Sequence, residues 1–225
     1  MNLDNFDWGW METSEEGLVH KQHITFETFE HKMYEKFFEV EPNDIVLDVG
    51  ASVGSFTYSI LDKNPKHVYC IEPSELEFPT LIKNTIGYPV TPILKGVSDT
   101  NTYTDSEFIY DNKSKMEGIT FKKLVELYNL NKIDFLKTDC EGGEYDIFND
   151  ENKEYIKNNV KKIVGEWHLR TPEHKEKFRK FRDEYLSQFE RIEVFSVNDV
   201  NIKWDLFNEH FIQFYTEVII YIDNR

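Results

Sequence analysis

The chain has 225 residues, with 26 Lys or Arg against 42 Asp or Glu, and a net charge of −16. That balance excludes generic binding to nucleic acid or to an anionic membrane, because neutralising phosphates needs clustered Lys and Arg. Hydrophobic residues make up 40% and aromatics 15%, which suffices for a buried core and is unlike a disordered chain. No run approaches the ~18 consecutive apolar residues of a membrane helix. The start, Met1 to Trp8, is acidic rather than a cationic leader, and two cysteines point to a reducing compartment such as the cytoplasm.

Residues 1–42 read as a helical extension or lid ahead of a single domain over 43–225, since no Gly/Ser/Pro-rich linker divides the chain. In the extension Phe26, Phe29, Met33 and Phe37 recur at spacings of 3, 4 and 4, one face of a helix that Pro42-Asn43-Asp44 ends. Trp8-Gly9-Trp10-Met11 either stacks on a sugar ring or packs on a core. Strands are predicted at 45–49 and 67–71, with a weaker one at 90–94 that Pro92 interrupts. Helices are predicted at 54–62 and 74–85. Residues 102–110 are rich in β-formers and ambiguous.

Thr120 is an N-cap for a helix to Tyr128, ahead of a strand at 133–137. A helix begins at Glu144 and runs to Asn149, and a strand follows at 162–167. Residues 173–188 form an amphipathic helix on Phe178, Phe181, Tyr185 and Phe189, and the last strands are 190–197 and 211–222. Arg170 to Arg182 is locally basic and reads as the solvated face of that helix. Alternation of strands and helices implies a doubly wound, mostly parallel sheet with helices on both faces, where ligands bind at the carboxyl ends of the strands.

Five segments sit at such ends. Asp48-Val49-Gly50-Ala51-Ser52-Val53-Gly54 links a strand to a helix, where glycine allows a tight turn and free N–H groups face an acceptor. Asp48 either orients this loop or binds an ammonium group. Glu72-Pro73 stands 24 residues after Asp48, and one carboxylate there can take both hydroxyls of a ribose. Ser98 and Asp99 are an ordinary turn or the reader of an adenine edge.

Asp139, Glu141 and Glu144 form a dense acidic cluster around Gly142-Gly143, needing cations, hydroxyls or helix N–H groups to offset their repulsion. In Glu166-Trp167-His168 the histidine is a base, or an organiser bonded to Asp139 or Glu141. His20, His23 and His31 read as surface groups. Cys70 and Cys140 follow strands expected ~10 Å apart, too far for a disulfide.

Asp48 to Gly54, Val68 to Pro73, Leu81 and Asn84 resemble the S-adenosyl-L-methionine site of class I methyltransferases. Ile133 to Glu144, with Glu166-Trp167-His168, is similar to the hallmark motif of the FkbM-type methyltransferases, and the resemblance covers residues 43–170. Two positions depart from it, Ser52 where the family often has Asn and Ile71 where it commonly has an aromatic residue.

The resemblance implies a seven-stranded class I methyltransferase sheet, S-adenosyl-L-methionine as cofactor, and methyl transfer to a hydroxyl of a sugar, glycan or related small molecule. It carries cofactor binding onto Asp48, Gly50, Ala51, Ser52, Gly54, Glu72, Pro73, Ser98, Asp99 and Asp139. His168, Asp139 and Glu141 are the expected catalytic residues. Asp139, Glu141, Glu166 and His168 are alternatively the ligands of a divalent cation that acidifies the hydroxyl. Two other readings share the architecture: a non-catalytic cofactor-binding module, and an NAD-binding oxidoreductase, whose glycine fingerprint fails at Ser52 and Ser55.

Overall fold

The computed structural model describes residues 3–101, 103–105 and 115–225. Of the ambiguous 102–110 segment, only the backbone of 103–105 falls within the described residues. Seven strands form one mostly parallel sheet, as expected. The chain gathers into two compact units: Met1–Gly96 with Thr102–Gly118, and Val97–Asn101 with Ile119–Arg225.

In the first unit, α1 (Glu15–Ile24), β1 (Ile45–Val49), α2 (Ser55–Ile60), β2 (His67–Ile71), α3 (Phe78–Thr85) and β3 (Val90–Ile93) follow in order. The strands are parallel in the order β3-β2-β1, and Pro92 of the outermost strand stands opposite Cys70. A short β4 (Gly96–Val97) follows, then β5 (Tyr103–Asp105) antiparallel to β6 (Lys115–Ile119).

The helix expected over Phe26 to Phe37 lies elsewhere. Ser14 caps α1 by accepting the Gly17 N–H at 3.0 Å, so the helix starts well before the phenylalanine stripe. It then widens into a π-helical turn over Thr25–Glu30 and ends at Lys32, whose φ of +48° is left-handed. The extra residue in that turn puts the stripe out of phase, leaving Phe26 and Phe37 exposed.

Residues 3–61 have a core of their own. Phe6, Trp8 and Met11 are buried against Val53, Tyr58 and Leu61, with Phe6 edge-on to Trp8 at 4.7 Å and to Tyr58 at 5.0 Å. Of the two readings for Trp8 and Met11, packing is the one observed.

The second unit runs α4 (Phe121–Leu127), β7 (Ile133–Thr138), α5 (Glu144–Ile147), α6 (Lys153–Asn159), β8 (Val160–His168), α7 (Pro172–Lys180), β9 (Ile192–Ser196), α8 (Phe211–Phe214) and β10 (Glu217–Asp223). Thr120 caps α4 as predicted, accepting the Lys123 N–H at 3.2 Å. Every residue of β7 is buried, and all of β8 but Lys161, as for strands covered on both faces.

The strand order is β7-β8-β10-β9: the last strand inserts antiparallel between β8 and β9. The predicted 173–188 helix is α7 continued by a π-helical turn over Phe181–Tyr185, and its stripe packs inward, Phe181 stacking on Trp167 at 5.1 Å. Residues 211–214, expected as strand, are α8. Cys70 and Cys140 form no disulfide. No helix among the described residues is long and apolar enough to cross a membrane.

Candidate active site

The first unit builds a glycine-turned loop clamped by one carboxylate. Chain direction reverses after β1 through Gly50, at φ +73°, and both the Gly50 and Ala51 N–H groups donate to the Ile71 carbonyl, at 2.9 and 3.0 Å. Ser52 is left-handed at φ +50°, a conformation that Asn tolerates better than Ser, in keeping with the Asn often found there in the resembling family. Gly54 precedes α2 at φ +88°, and a Cβ there would lie 2.8 Å from the Leu81 Cδ1.

Glu72, almost wholly buried, accepts the Ser52 N–H on Oε2 and the Ser74 N–H on Oε1, both at 2.7 Å. Held by both oxygens in this way, the carboxylate has its two acceptors oriented side by side, the arrangement a ribose diol needs. Pro73 follows it, half-buried. This pairing of a tight glycine-turned loop with an oriented carboxylate fits an adenosine-bearing cofactor.

Asp48 is fully buried at the end of β1 and accepts the Thr57 hydroxyl at 2.7 Å, which ties the strand to α2. Asn84 braces the same loop from α3. Its Nδ2 donates to the Val53 and Asp7 carbonyls, each at 2.8 Å, and its Oδ1 accepts the Asp7 N–H at 2.9 Å. The N-terminal segment and the loop therefore share one side chain.

The second unit gathers the acidic residues around a histidine. His168 ends β8 with 1% of its side chain exposed, and its Nδ1 bonds Glu144 Oε1 at 2.9 Å. That acid, the first residue of α5, also accepts the Cys140 N–H at 3.0 Å. The hydrogen-bond partner of His168 is thus Glu144, whose side chain reaches back to the turn ahead of α5, while the expected Asp139 and Glu141 lie at ion-pair distance from the other ring nitrogen.

Nε2 of His168 faces Glu141 at 3.6 Å, Glu166 at 3.7 Å and Asp139 at 3.9 Å. Burial alone would lower the imidazole pKa. The carboxylates of Glu144, then Asp139 and Glu141, outweigh it and raise the pKa to about 10. Tyr145 fixes the end of the strand, donating its hydroxyl to the His168 carbonyl at 2.8 Å.

Gly142 is left-handed at φ +107°, and a Cβ there would meet the His174 ring at 2.6 Å, so the turn after β7 accepts only glycine. Burial pushes the Cys140 thiol well above its usual range, which removes it as a nucleophile near neutral pH. Ser98 is buried and spends its hydroxyl on the Thr100 carbonyl at 2.8 Å, as in a turn, while the Asp99 side chain is exposed.

Arg170 and Glu217 were not among the expected site residues. Arg170 ion-pairs with both Glu141 and Glu217. Glu217 pairs with His168 across the β8–β10 ladder, and Glu166, His168 and Glu217 bring ligand atoms within 4.8 Å of one another.

The methyltransferase FkbM domain family matches residues 48–195, about two thirds of the chain. Among solved structures, a fibrillarin/Nop5p complex is similar over 86% of this chain and 78% of its own, at 17% identity and a TM-score of 0.50. A putative rRNA methylase from Clostridium thermocellum is similar over 91% and 96%, at 12% identity and a TM-score of 0.49. Precorrin-6y C5,15-methyltransferase from Geobacter metallireducens is similar over 97% and 94%, at 12% identity and a TM-score of 0.48. No curated protein matches the chain. With the family match spanning both the clamped glycine loop and the histidine-centred acidic cluster, the chain belongs to the FkbM family of S-adenosylmethionine-dependent methyltransferases.

Proposed function

We propose that this protein is an O-methyltransferase acting on a hydroxyl of a sugar, glycan or related polyhydroxylated small molecule. The observation that carries the reading is the His168 cluster: several carboxylate oxygens around one buried imidazole suit hydroxyl donors, which bind carboxylates and must shed a proton as the oxygen attacks. The net charge of −16 favours such an acceptor over a polyanion.

The cofactor supplies an electrophilic methyl, so the protein's task is alignment, water exclusion and proton removal. In this reading Asp48, Gly50, Ala51, Ser52, Gly54, Glu72 and Pro73 hold the cofactor within the first unit. Of the two candidate bases, exposure favours Asp139, with 27% of its side chain open against 1% for His168. Asp139 accepts the hydroxyl proton, Glu141 orients the acceptor, and His168 anchors both acids. Residues 1–42 act as a brace on the cofactor loop of a domain spanning 43–225. The working environment is the reducing cytoplasm, in keeping with two cysteines outside any disulfide.

Calorimetry with S-adenosylhomocysteine, followed by mass spectrometry of sugar panels incubated with labelled cofactor, tests the proposal. Binding accompanied by a single-methyl mass gain on a hydroxylated acceptor is expected. Lack of binding at millimolar ligand removes the reading, and binding without product on any acceptor turns it toward a non-catalytic module.

A further inference from the structure

We propose that Glu166, His168 and Glu217 form a binding site for one divalent first-row metal ion of the Mn²⁺ type. The sheet itself puts the three side chains together. Glu166 and His168 are two residues apart on β8 and so point to the same face, and Glu217 is the direct cross-strand partner of His168 on β10. The ligand atoms of all three lie within 4.8 Å of one another. All three backbones are thereby held by the same ladder, which gives a rigid ligand frame.

A cluster of acids alone would say little, but the histidine adds an independent indication. Its ring is almost wholly buried, its Nδ1 is committed to Glu144 at 2.9 Å, and its Nε2 faces the carboxylates of Glu141 at 3.6 Å, Glu166 at 3.7 Å and Asp139 at 3.9 Å. A carboxylate on one imidazole nitrogen, with the other nitrogen presented to a set of oxygens, is how proteins orient a metal-binding histidine. The Glu166 oxygen stands 3.7 Å from Nε2. Two ligands bound side by side on an ion with bonds of about 2.1–2.4 Å are roughly 3.0–3.4 Å apart, so the pair needs to close by only a few tenths of an ångström. Two carboxylates and an imidazole suit Mn²⁺ better than a soft, thiolate-seeking ion.

Protonated His168 and Arg170 now supply positive charge at this place; the ion replaces the Nε2 proton, which leaves to solvent, and Arg170, paired with Glu217 and Glu141, is 36% exposed. It can swing to solvent as the ion takes Glu217. The ion site does not depend on the identity of the methyl acceptor; its further use, polarising an acceptor hydroxyl, rests on the proposed O-methyl transfer.

The test is titration of the metal-stripped full chain with Mn²⁺, reading the free ion by electron paramagnetic resonance. One ion per chain is expected, with affinity falling at least tenfold in Glu166→Gln and in Glu217→Gln. Arg170→Gln, at a part-exposed side chain, releases Glu217 and is expected to tighten binding several-fold. No bound Mn²⁺ at millimolar metal, or equal affinity in wild type and both glutamine variants, overturns the site. Calorimetry with S-adenosylhomocysteine on the same samples separates the two proposals: cofactor binding without ion binding overturns only the metal site, and ion binding without cofactor binding overturns only the methyltransferase reading.

Discussion

His168 and Glu144 are joined by a fully buried 2.9 Å hydrogen bond linking the end of β8 to the first residue of α5. The same carboxylate oxygen receives the Cys140 N–H, so one atom fixes both the turn after β7 and the imidazole. Removing one partner of a buried charged pair leaves the other uncompensated, at a cost of about 3–5 kcal/mol. Glu144→Ala is therefore expected to destabilise the protein by that amount in urea unfolding. Glu144→Gln keeps an acceptor in place and is expected to cost less than half as much. Equal stability of wild type and Glu144→Ala would show that the pair anchors nothing.

Glu72 holds two backbone N–H groups, those of Ser52 and Ser74, one on each oxygen. A glutamine has a single acceptor oxygen, so Glu72→Gln turns an NH₂ toward one of those donors. A lost buried hydrogen bond of this kind costs about 1–3 kcal/mol. Calorimetry is expected to show at least a tenfold loss of S-adenosylhomocysteine affinity, because the clamp and the diol acceptor are the same group. Undiminished affinity would remove Glu72 from the cofactor site.

Asn84 makes three hydrogen bonds that fasten residue 7 and residue 53 together. Asn84→Ala is expected to cost about 2–3 kcal/mol, taking each bond near the usual net contribution of about 1 kcal/mol. It should also release the N-terminal segment, so limited proteolysis near residues 7–13 should quicken. A variant that is destabilised but cut no faster would place the role of Asn84 in the loop alone.

Asp146 carries a pKa raised to about 6, chiefly by burial, with Asp99 and Glu144 adding to the rise and Lys177 opposing it. The folded value lies above the unfolded value of about 3.9, so the folded state holds this proton more tightly. The associated stability is fully present below about pH 4 and is lost as pH rises through 6. Asp146→Asn, which cannot ionise, is expected to be more stable than wild type at pH 8 by about 1–2 kcal/mol and no more stable at pH 4. Thermal melts across pH 4–8 read the difference, and parallel pH curves for the two proteins would rule out this assignment.

Much of the fold was legible in sequence wherever a segment's own residues decide its structure. Ile45–Val49 and His67–Ile71 are short apolar runs bounded by turn residues, and both are strands at the predicted limits. Thr120 caps its helix because its hydroxyl reaches an N–H three residues on, a local event. Lys153–Asn159 went unseen as a helix since only Tyr155 and Ile156 are apolar in it, too few to mark a face.

The phenylalanine stripe of 26–37 misled because a π-helical turn changes the period that spacing arguments assume. In the site, the acids and His168 were visible as types at strand ends. Which acid meets the imidazole depends on the turn into α5, and the parts played by Glu217 and Arg170 depend on β10 pairing with β8, a contact between distant segments.

Pro92, which weakened the prediction of its own strand, has a consequence for self-association. An outermost strand offers a row of unsatisfied amides on which another chain can pair and begin a fibre. A proline in that row has no N–H to give, and its ring obstructs the approach of a second strand. Val90–Ile93 keeps its parallel register with β2 while its outward side is blunted. The protein thus carries a built-in brake on edge-to-edge aggregation along that flank, at the one residue of the strand that looked least suited to being there.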